Sequence, residues 1–313
     1  MKSFINLKAS ISLKKFFLII ISLTVIEQTG IAQCCSPGNP VSGSEYVGIL
    51  PRKTLRTITY YRHSFSDTYF EGSEKSDDHG TQSGYDFIGE VLSYGIIKKL
   101  TVEAELGYYI YKYQDSDVLG KFRTYGFSNA TVSLKYAVLK TRKDMELTLG
   151  AGAKVPVSRK IFSNKLGPYP PEIQPSTGAF GFVAQLFFYK SFMEKKWRVV
   201  VLNRYELNGY NSEDYRFGDA LFSSVFIGKS FAKNWAATLQ LRNEYRWEDW
   251  QSETRYLVTG GDIMYVSPQL SYTFRPRLTL SVTADIPVFR HYNGIQLGPK
   301  YAFGISLVKD FCL

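Results

Sequence analysis

Long hydrophobic runs are what this 313-residue chain has least of. The longest, Phe16–Ile26 (FFLIIISLTVI), is 11 residues, well short of the roughly 20 that a membrane-crossing helix needs. Nothing comparable follows it, so the rest of the chain holds no membrane-crossing helix. Histidine and cysteine are scarce as well, with 3 of each. The histidines (His63, His79, His291) and cysteines (Cys34, Cys35, Cys312) show no zinc-type spacing. A glycine-rich phosphate loop is missing too. No serine is singled out beside a histidine and an acid. No catalytic residue is therefore assigned, and no cofactor is expected.

The first 33 residues read as a separate object. Lys2, Lys8, Lys14 and Lys15 form a basic start, the apolar run follows, and Gly30 and Ala32 supply the small residues of a cleavage point after Ala32. This is the layout of a secretory signal peptide. Gln33 stands where a lipoprotein signal wants a small residue before its cysteine. What remains is rich in aromatics, with 23 Tyr and 22 Phe in the whole chain, and its mean hydropathy is slightly negative. Many aromatics without long apolar runs suggest strands that alternate between two environments.

The alternation is explicit. In Leu278–Val288, Leu278, Leu280, Val282, Ala284, Ile286 and Val288 oppose Thr279, Ser281, Thr283, Asp285 and Pro287. In Thr101–Tyr111, Val102, Ala104, Leu106, Tyr108 and Ile110 oppose Thr101, Glu103, Glu105, Gly107, Tyr109 and Tyr111. Trp235–Trp247 and Tyr301–Leu313 behave alike, with Asn243 the one polar residue on the apolar side of the former. A side-chain period of two is a strand signal. A weak repeat marks the tight turns: LSYGIIKKLTVEA from Leu92, YKSFMEKKWRVVV from Tyr189, GKSFAKNWAATLQ from Gly228, LSYTFRPRLTLSV from Leu270, and a looser copy from Leu134. Five short turns and six longer polar connections imply about 12 strands, the first near Thr54–Phe65 and the last at 299–313. Short turns at one end and long loops at the other are the asymmetry of an outer-membrane barrel. The expectation is an all-β, up-and-down antiparallel transmembrane barrel over residues 54–313, preceded by a periplasmic segment or plug over 34–53. Trp197, Trp235, Tyr136 and Tyr272 flank the short turns, as an interfacial girdle requires. The competing reading is a soluble β-sandwich. Strand Ser83–Ile97 breaks parity: its turn places Glu90 toward lipid unless a bulge near Gly89 corrects it.

The inward set is charged. Parity assigns Glu103, Glu105, Glu146, Arg198, Arg204, Glu206, Gln240, Arg242, Glu244, Arg246 and Asp285 to the interior. Such residues line a polar passage and tune what enters it, or they pair with one another and fill a narrow barrel. Both signs occur, so no ion preference follows. Tyr46, Val47, Ile49 and Leu50 make residues 34–53 a tether or a docked plug. Cys34 and Cys35 are weak candidates for a soft metal. A disulfide to Cys312, or unused thiols, is the plainer reading. Much of the basic charge beyond the leader sits in the short turns, at Lys98, Lys99, Lys140, Arg142, Lys143, Lys195, Lys196, Lys233, Arg275 and Arg277, against Asp144 and Glu194. This collar fits lipid phosphates or a periplasmic partner, and not nucleic acid.

PVFRHYNGIQLGPKYAFGISL (Pro287–Leu307) resembles the last hairpin of outer-membrane transporter-like proteins of Bacteroidetes, similar in pattern to the barrels grouped with the meta-pathway of phenol degradation. CCSPGNPVSGSEYVGILPRKTLRTITYYRHSF resembles their amino-terminal segment. The resemblance implies a transporter-like barrel of the outer membrane and brings no catalytic residue. The expected function is passive passage of a small solute, hydrophobic or aromatic. The alternative is a non-transporting anchor or accessory subunit for a periplasmic partner, with metal handling through Cys34 and Cys35.

Overall fold

The structure, a computed structural model, describes residues 48–313 apart from 77–79, 117–119, 141–144, 159, 166, 193–195 and 276. The leader, Cys34, Cys35 and His79 lie outside the described residues. Eleven long strands form the wall: β1 (Thr54–Gly72), β2 (Gln82–Ile97), β3 (Leu100–Ser116), β4 (Asn129–Lys140), β5 (Met145–Pro156), β6 (Gly181–Phe192), β7 (Trp197–Asn208), β8 (Ala220–Ser230), β9 (Trp235–Arg246), β10 (Gly261–Arg275) and β11 (Leu278–Cys312). Each pairs antiparallel with its neighbour in sequence, and β11 closes the sheet on β1, from Thr54↔Cys312 to Gly72↔Tyr292. Closure leaves no open edge, as lipid requires of a spanning sheet.

The last strand is two crossings in one. Its 35 residues would extend about 115 Å at ~3.3 Å per residue, far more than a membrane is thick. Leu278–Tyr292 pairs with β10, and Tyr292–Cys312 pairs with β1. The Asp310 N–H donates to the Arg277 carbonyl at 3.0 Å, so both ends of the strand meet at the same rim. The wall is thus crossed 12 times by 11 continuous strands. Two further strands, Glu74–Lys75 and Gly120–Phe127, add to the sheet beyond the main path.

Burial follows the alternation. Along β9, Thr238, Gln240, Arg242 and Glu244 are buried, while Trp235, Leu239, Leu241 and Tyr245 are exposed. On the closing strand Tyr301, Phe303, Ile305, Leu307 and Phe311 are exposed, while Ala302, Ser306 and Val308 are buried. The sheet is inside-out relative to a soluble sandwich: its large apolar residues coat the outside. Leu55 to Phe65, ten residues of a strand tilted ~40°, rises about 25 Å, the height of an outer-membrane apolar band. Trp235 packs on Tyr272 at 4.8 Å, and Lys229 lies over Trp197 at 4.9 Å, so these rings do collect near the short-turn rim. The barrel is of outer-membrane type.

Glu90 faces outward as its turn predicted, and two other expectations need correction. No bulge turns Glu90 inward: β2 keeps an unbroken register with β1 from Leu55↔Tyr94 to Ser66↔Ser83. Glu90 stands on the outer face, bonded by Thr59 Oγ1 at 2.5 Å. The irregularity is in β3, where Asp86 faces Tyr111 but Phe87 faces Tyr109. The extra residue turns Tyr111 out, 40% exposed, and brings Lys112 in. The connections expected at Ser66–Ser83 and Gln114–Thr124 are largely strand, because β1, β3 and Gly120–Phe127 extend past the membrane band as paired ribbons.

Candidate functional site

The lumen is the site, and three layers obstruct or shape it. At the short-turn rim the chain enters the barrel before β1 begins. Ile49 and Leu50 are buried; the Ile49 N–H donates to Glu146 Oε1 at 2.9 Å, and the Leu50 N–H to Thr101 Oγ1 at 2.8 Å. Gly48 is fixed by this approach, since a Cβ there would lie 2.0 Å from Glu146 Oε1. Residues 48–50 are therefore docked inside, with Glu146, an inward residue by parity, as their anchor.

Further in, apolar side chains meet across the interior. Ile58 and Tyr60 on β1, Phe87 and Val91 on β2, Phe187 on β6, Val200 and Leu202 on β7, Phe226 on β8 and Val308 on β11 form one buried cluster. Contributors on opposite walls can touch only if the lumen is filled at that level.

Around this cluster lie the charged residues predicted from parity. Arg204 Nη1 contacts both oxygens of Glu105 at 2.8 Å, and its Nε contacts Glu206 Oε1 at 2.8 Å. Lys154 Nζ holds the other Glu206 oxygen at 2.8 Å. Asp285 accepts from Arg62 at 2.6 Å, Arg242 at 3.4 Å and Ser267 Oγ at 2.5 Å. Arg242 Nε reaches Glu244 Oε1 at 3.0 Å, and its guanidinium lies over Tyr265 at 4.5 Å. Glu103 pairs with Lys135 at 2.5 Å and accepts from Ser93 Oγ at 2.7 Å. Gln240 bonds Ser224. Arg198 and Arg246 are half-buried on the inner wall, Arg246 over the Phe222 ring. All ten candidates occupy the inner face, and most are locked in ion pairs. Arg62, Lys135 and Lys154, which complete these pairs, were missed. They share the inward parity of their strands, so the signal was there.

Above this layer opens a pocket of about 120 Å³. Tyr85, Tyr109, Tyr265 and Tyr292 form much of its wall, Arg62 lies in its lining, and Glu172 and Gly218 belong to connections that cover it. The cover is the connection between β5 and β6, whose short 3₁₀ turn Pro171–Ile173 dips into the mouth. Lys112 Nζ donates to the Gln174 carbonyl at 3.1 Å, and Thr124 Oγ1 to the Ile173 carbonyl at 2.6 Å. Tyr215 donates its hydroxyl to Asp249, which also accepts from the Gly218 N–H at 2.6 Å. Burial, with Asp249 nearby, pushes the Glu172 carboxyl up to about 8. Burial and Asp249 likewise raise the Tyr215 phenol. Glu172 therefore carries its proton at neutral pH. Outside this cover, a wider vestibule of about 480 Å³ is lined by Phe122, Tyr169, Phe217 and three prolines, Pro168, Pro170 and Pro171.

The remaining candidates lie away from the lumen. His63 contacts Asp86 at 2.8 Å on the outer face, and Tyr61 donates to the same carboxylate at 2.6 Å. His291 stands 3.3 Å from Ser73 Oγ. Among the described residues no group of His, Cys, Asp and Glu is placed to hold a metal. Cys312 is exposed at the short-turn rim; its candidate partners lie outside the described residues.

Residues 76–288, more than half of the chain, match the sequence model of the family described as "Putative MetA-pathway of phenol degradation". No curated protein matches the sequence. Among solved structures, an outer-membrane channel from Pseudomonas putida F1 aligns over 87% of this chain and 100% of its own, at 16% identity and a TM-score of 0.67. A NanC porin aligns over 82% and 98%, at 15% identity and a TM-score of 0.47. A TodX monoaromatic hydrocarbon channel aligns over 83% and 90%, at 10% identity and a TM-score of 0.42. The first of these supports the barrel architecture independently of the strand pairing.

Proposed function

The chain belongs to the family described as "Putative MetA-pathway of phenol degradation", and from that premise we propose that it is an outer-membrane channel for a small hydrophobic or aromatic solute. The observation that carries this reading is the tyrosine-walled pocket under the Pro171–Ile173 turn, open to the outer vestibule side and ending on the ionic layer. A pocket of mixed character with a few fixed polar groups is the form of a small-molecule site. The similarity to a Pseudomonas putida F1 outer-membrane channel supports the same reading. The leader over 1–33, a Bacteroidetes source and a periplasmic partner at the basic rim belong to this proposal as the sequence suggested them. No catalytic role is assigned to any residue.

Passage through this barrel is gated. The apolar cluster and the docked Gly48–Leu50 segment both stand below the pocket, so solute moves only when they yield. The inward polar residues Glu103, Glu105, Arg198, Arg204, Glu206, Gln240, Arg242, Glu244, Arg246 and Asp285 act as the wall of that route, and the pairing of the charged ones sets how readily it opens.

Single-channel conductance in a planar bilayer tests this. The intact barrel is expected to show small or rare openings, and the barrel lacking residues 34–53 larger and longer ones. Silence in both forms, with no solute uptake into vesicles, would sink the channel reading. It would favour the non-transporting accessory barrel, to which the filled middle of the lumen also lends support.

A further inference from the structure

Arg62 is 5% exposed and forms part of the wall of the outer pocket. A guanidinium has five N–H donors. Its Nη2 is taken by Asp285 at 2.6 Å, but its Nε and Nη1 are buried and make no hydrogen bond among the described residues. Buried donors of a charged group left without an acceptor are costly, and the side chain that carries these borders the cavity. A second unpartnered atom lies in the same lining: Glu172 Oε2 is buried and also without a hydrogen-bond partner.

The charges of the lining favour an anion. Arg62, Lys112, Lys154 and Arg246 contribute four positive charges, and Glu206, Glu244 and Asp249 three negative ones. Glu172 is protonated near neutral pH because its burial raises it to about 8. The two charges immediately behind the wall, Arg242 and Asp285, cancel. One positive charge remains, enough for a single monoanion. The rest of the lining suits a ring. Tyr85 and Tyr109 meet edge-on at 5.6 Å, and Tyr265 and Tyr292 complete the tyrosine wall.

We propose that the outer pocket is a binding site for a small aromatic carboxylate, its carboxylate on Arg62 and its ring among the tyrosines, with Glu172 available to a ring hydroxyl. This rests on the channel reading for its purpose and narrows the solute from aromatic in general to an aromatic monoanion. The hydrocarbon part fits tyrosine faces by stacking and edge contacts. A neutral phenol offers the Arg62 donors a single uncharged acceptor oxygen, weaker than a carboxylate, and an aliphatic acid of acetate size would leave the ring space unfilled.

The experiment is isothermal titration of the purified full-length barrel in detergent with sodium benzoate, 4-hydroxybenzoate, phenol and sodium acetate. The two aromatic acids are expected to bind saturably, at least tenfold tighter than phenol or acetate. Arg62→Gln is expected to lose at least tenfold in benzoate affinity while phenol binding stays the same. Ala302→Phe supplies a second variant, since Ala302 lines the pocket without joining the ion pairs. It is expected to block both acids even where Arg62→Gln does not fold. Benzoate binding no tighter than phenol, or unaffected by both substitutions, overturns the proposal. Uptake into vesicles separates this from the channel reading. Flux of neutral solutes without benzoate binding keeps the channel and removes the site. Benzoate binding without flux keeps the site and removes the channel.

Discussion

Arg204 on β7 reaches across the lumen to Glu105 on β3, with Nη1 2.8 Å from each carboxylate oxygen. These strands do not touch: β3 lies between β2 and β4, and β7 between β6 and β8. The pair is thus a strut between walls, 3% and 6% exposed at its two ends. Removing one member of a buried pair strands the other charge, at a cost of about 3–5 kcal/mol. Arg204→Gln and Glu105→Gln are each expected to lower the unfolding midpoint in urea. The double variant, which leaves neither charge behind, should recover much of the loss. A double-mutant cycle measures the coupling, and additive single effects would show that the strut contributes nothing as a pair.

The docked segment makes a second prediction. Ile49 and Leu50 are buried, and their backbone N–H groups bond Glu146 and Thr101. Ile49→Asp together with Leu50→Asp would place two charges beside Glu146, whose one ion-pair cation among the described residues, Lys140 at 3.1 Å, is already engaged. The segment should leave the lumen. A cysteine at position 49 should become more reactive from the periplasmic side when Leu50→Asp is added, and in the double-Asp variant conductance should rise toward that of the barrel lacking 34–53. Unchanged conductance would show that these residues do not limit the path.

How far the sequence foretold this molecule depends on the range of each interaction. Alternation in Trp235–Trp247 fixed which residues face inward, because a strand's period of two is local and the membrane enforces it on every crossing. The inward polar candidates, nine charged residues and Gln240, followed from the same rule. Their pairing did not. Glu105 and Arg204 lie 99 positions apart, and only barrel closure and stagger decide who faces whom. The bulge at Ile110–Tyr111 was hidden too, because either residue reads as apolar wall and the extra position shows only against β2. Glu172 carried no pattern: it sits in an irregular connection, and its burial comes from packing under Tyr215 and Asp249.

Glu90 was legible as an anomaly, and the structure keeps it one. It lies opposite Thr59, four residues from the rim residue Leu55, or about 10 Å into the apolar band at the rise of a tilted strand. Its one side-chain hydrogen bond is to Thr59 Oγ1. A carboxylate on the lipid face is destabilising, less so than Lys or Arg at the same depth. Glu90→Leu is expected to stabilise the folded barrel by about 1 kcal/mol in bilayers. Thr59→Val, which removes the bond but keeps the acid, should do the reverse. Equilibrium unfolding in lipid vesicles measures both. A loss of stability in Glu90→Leu would show that something other than lipid faces this patch.

The cover of the outer pocket should respond to pH through Glu172. Its carboxyl is raised from 4.5 to about 8 by burial first, then by Asp249, against the opposing pull of Lys112. A carboxyl raised in the closed state favours closure only while it is protonated in both states. Below about 4.5 the buried and the released Glu172 are both neutral, and closure keeps its full stability. Between that point and about 8 the released form ionises and the buried form does not. Closure then weakens by about 1.4 kcal/mol for each pH unit. Beyond about 8 both forms are ionised and the loss levels off. Hydrogen exchange at the Ile173 and Gln174 amides, which bond to Pro170 and Pro171 carbonyls, reads this directly. Chemical exchange itself accelerates with pH, so the comparison is with Glu172→Gln at each pH. The variant holds a neutral side chain throughout. Protection in the two proteins should agree near pH 5 and diverge steadily to pH 8, with the wild type opening more. Parallel curves across that window would mean that Glu172 does not control the cover, and that Lys112, Thr124 and the packing of Ile173 with Tyr69, Phe122 and Leu297 hold the turn in the mouth.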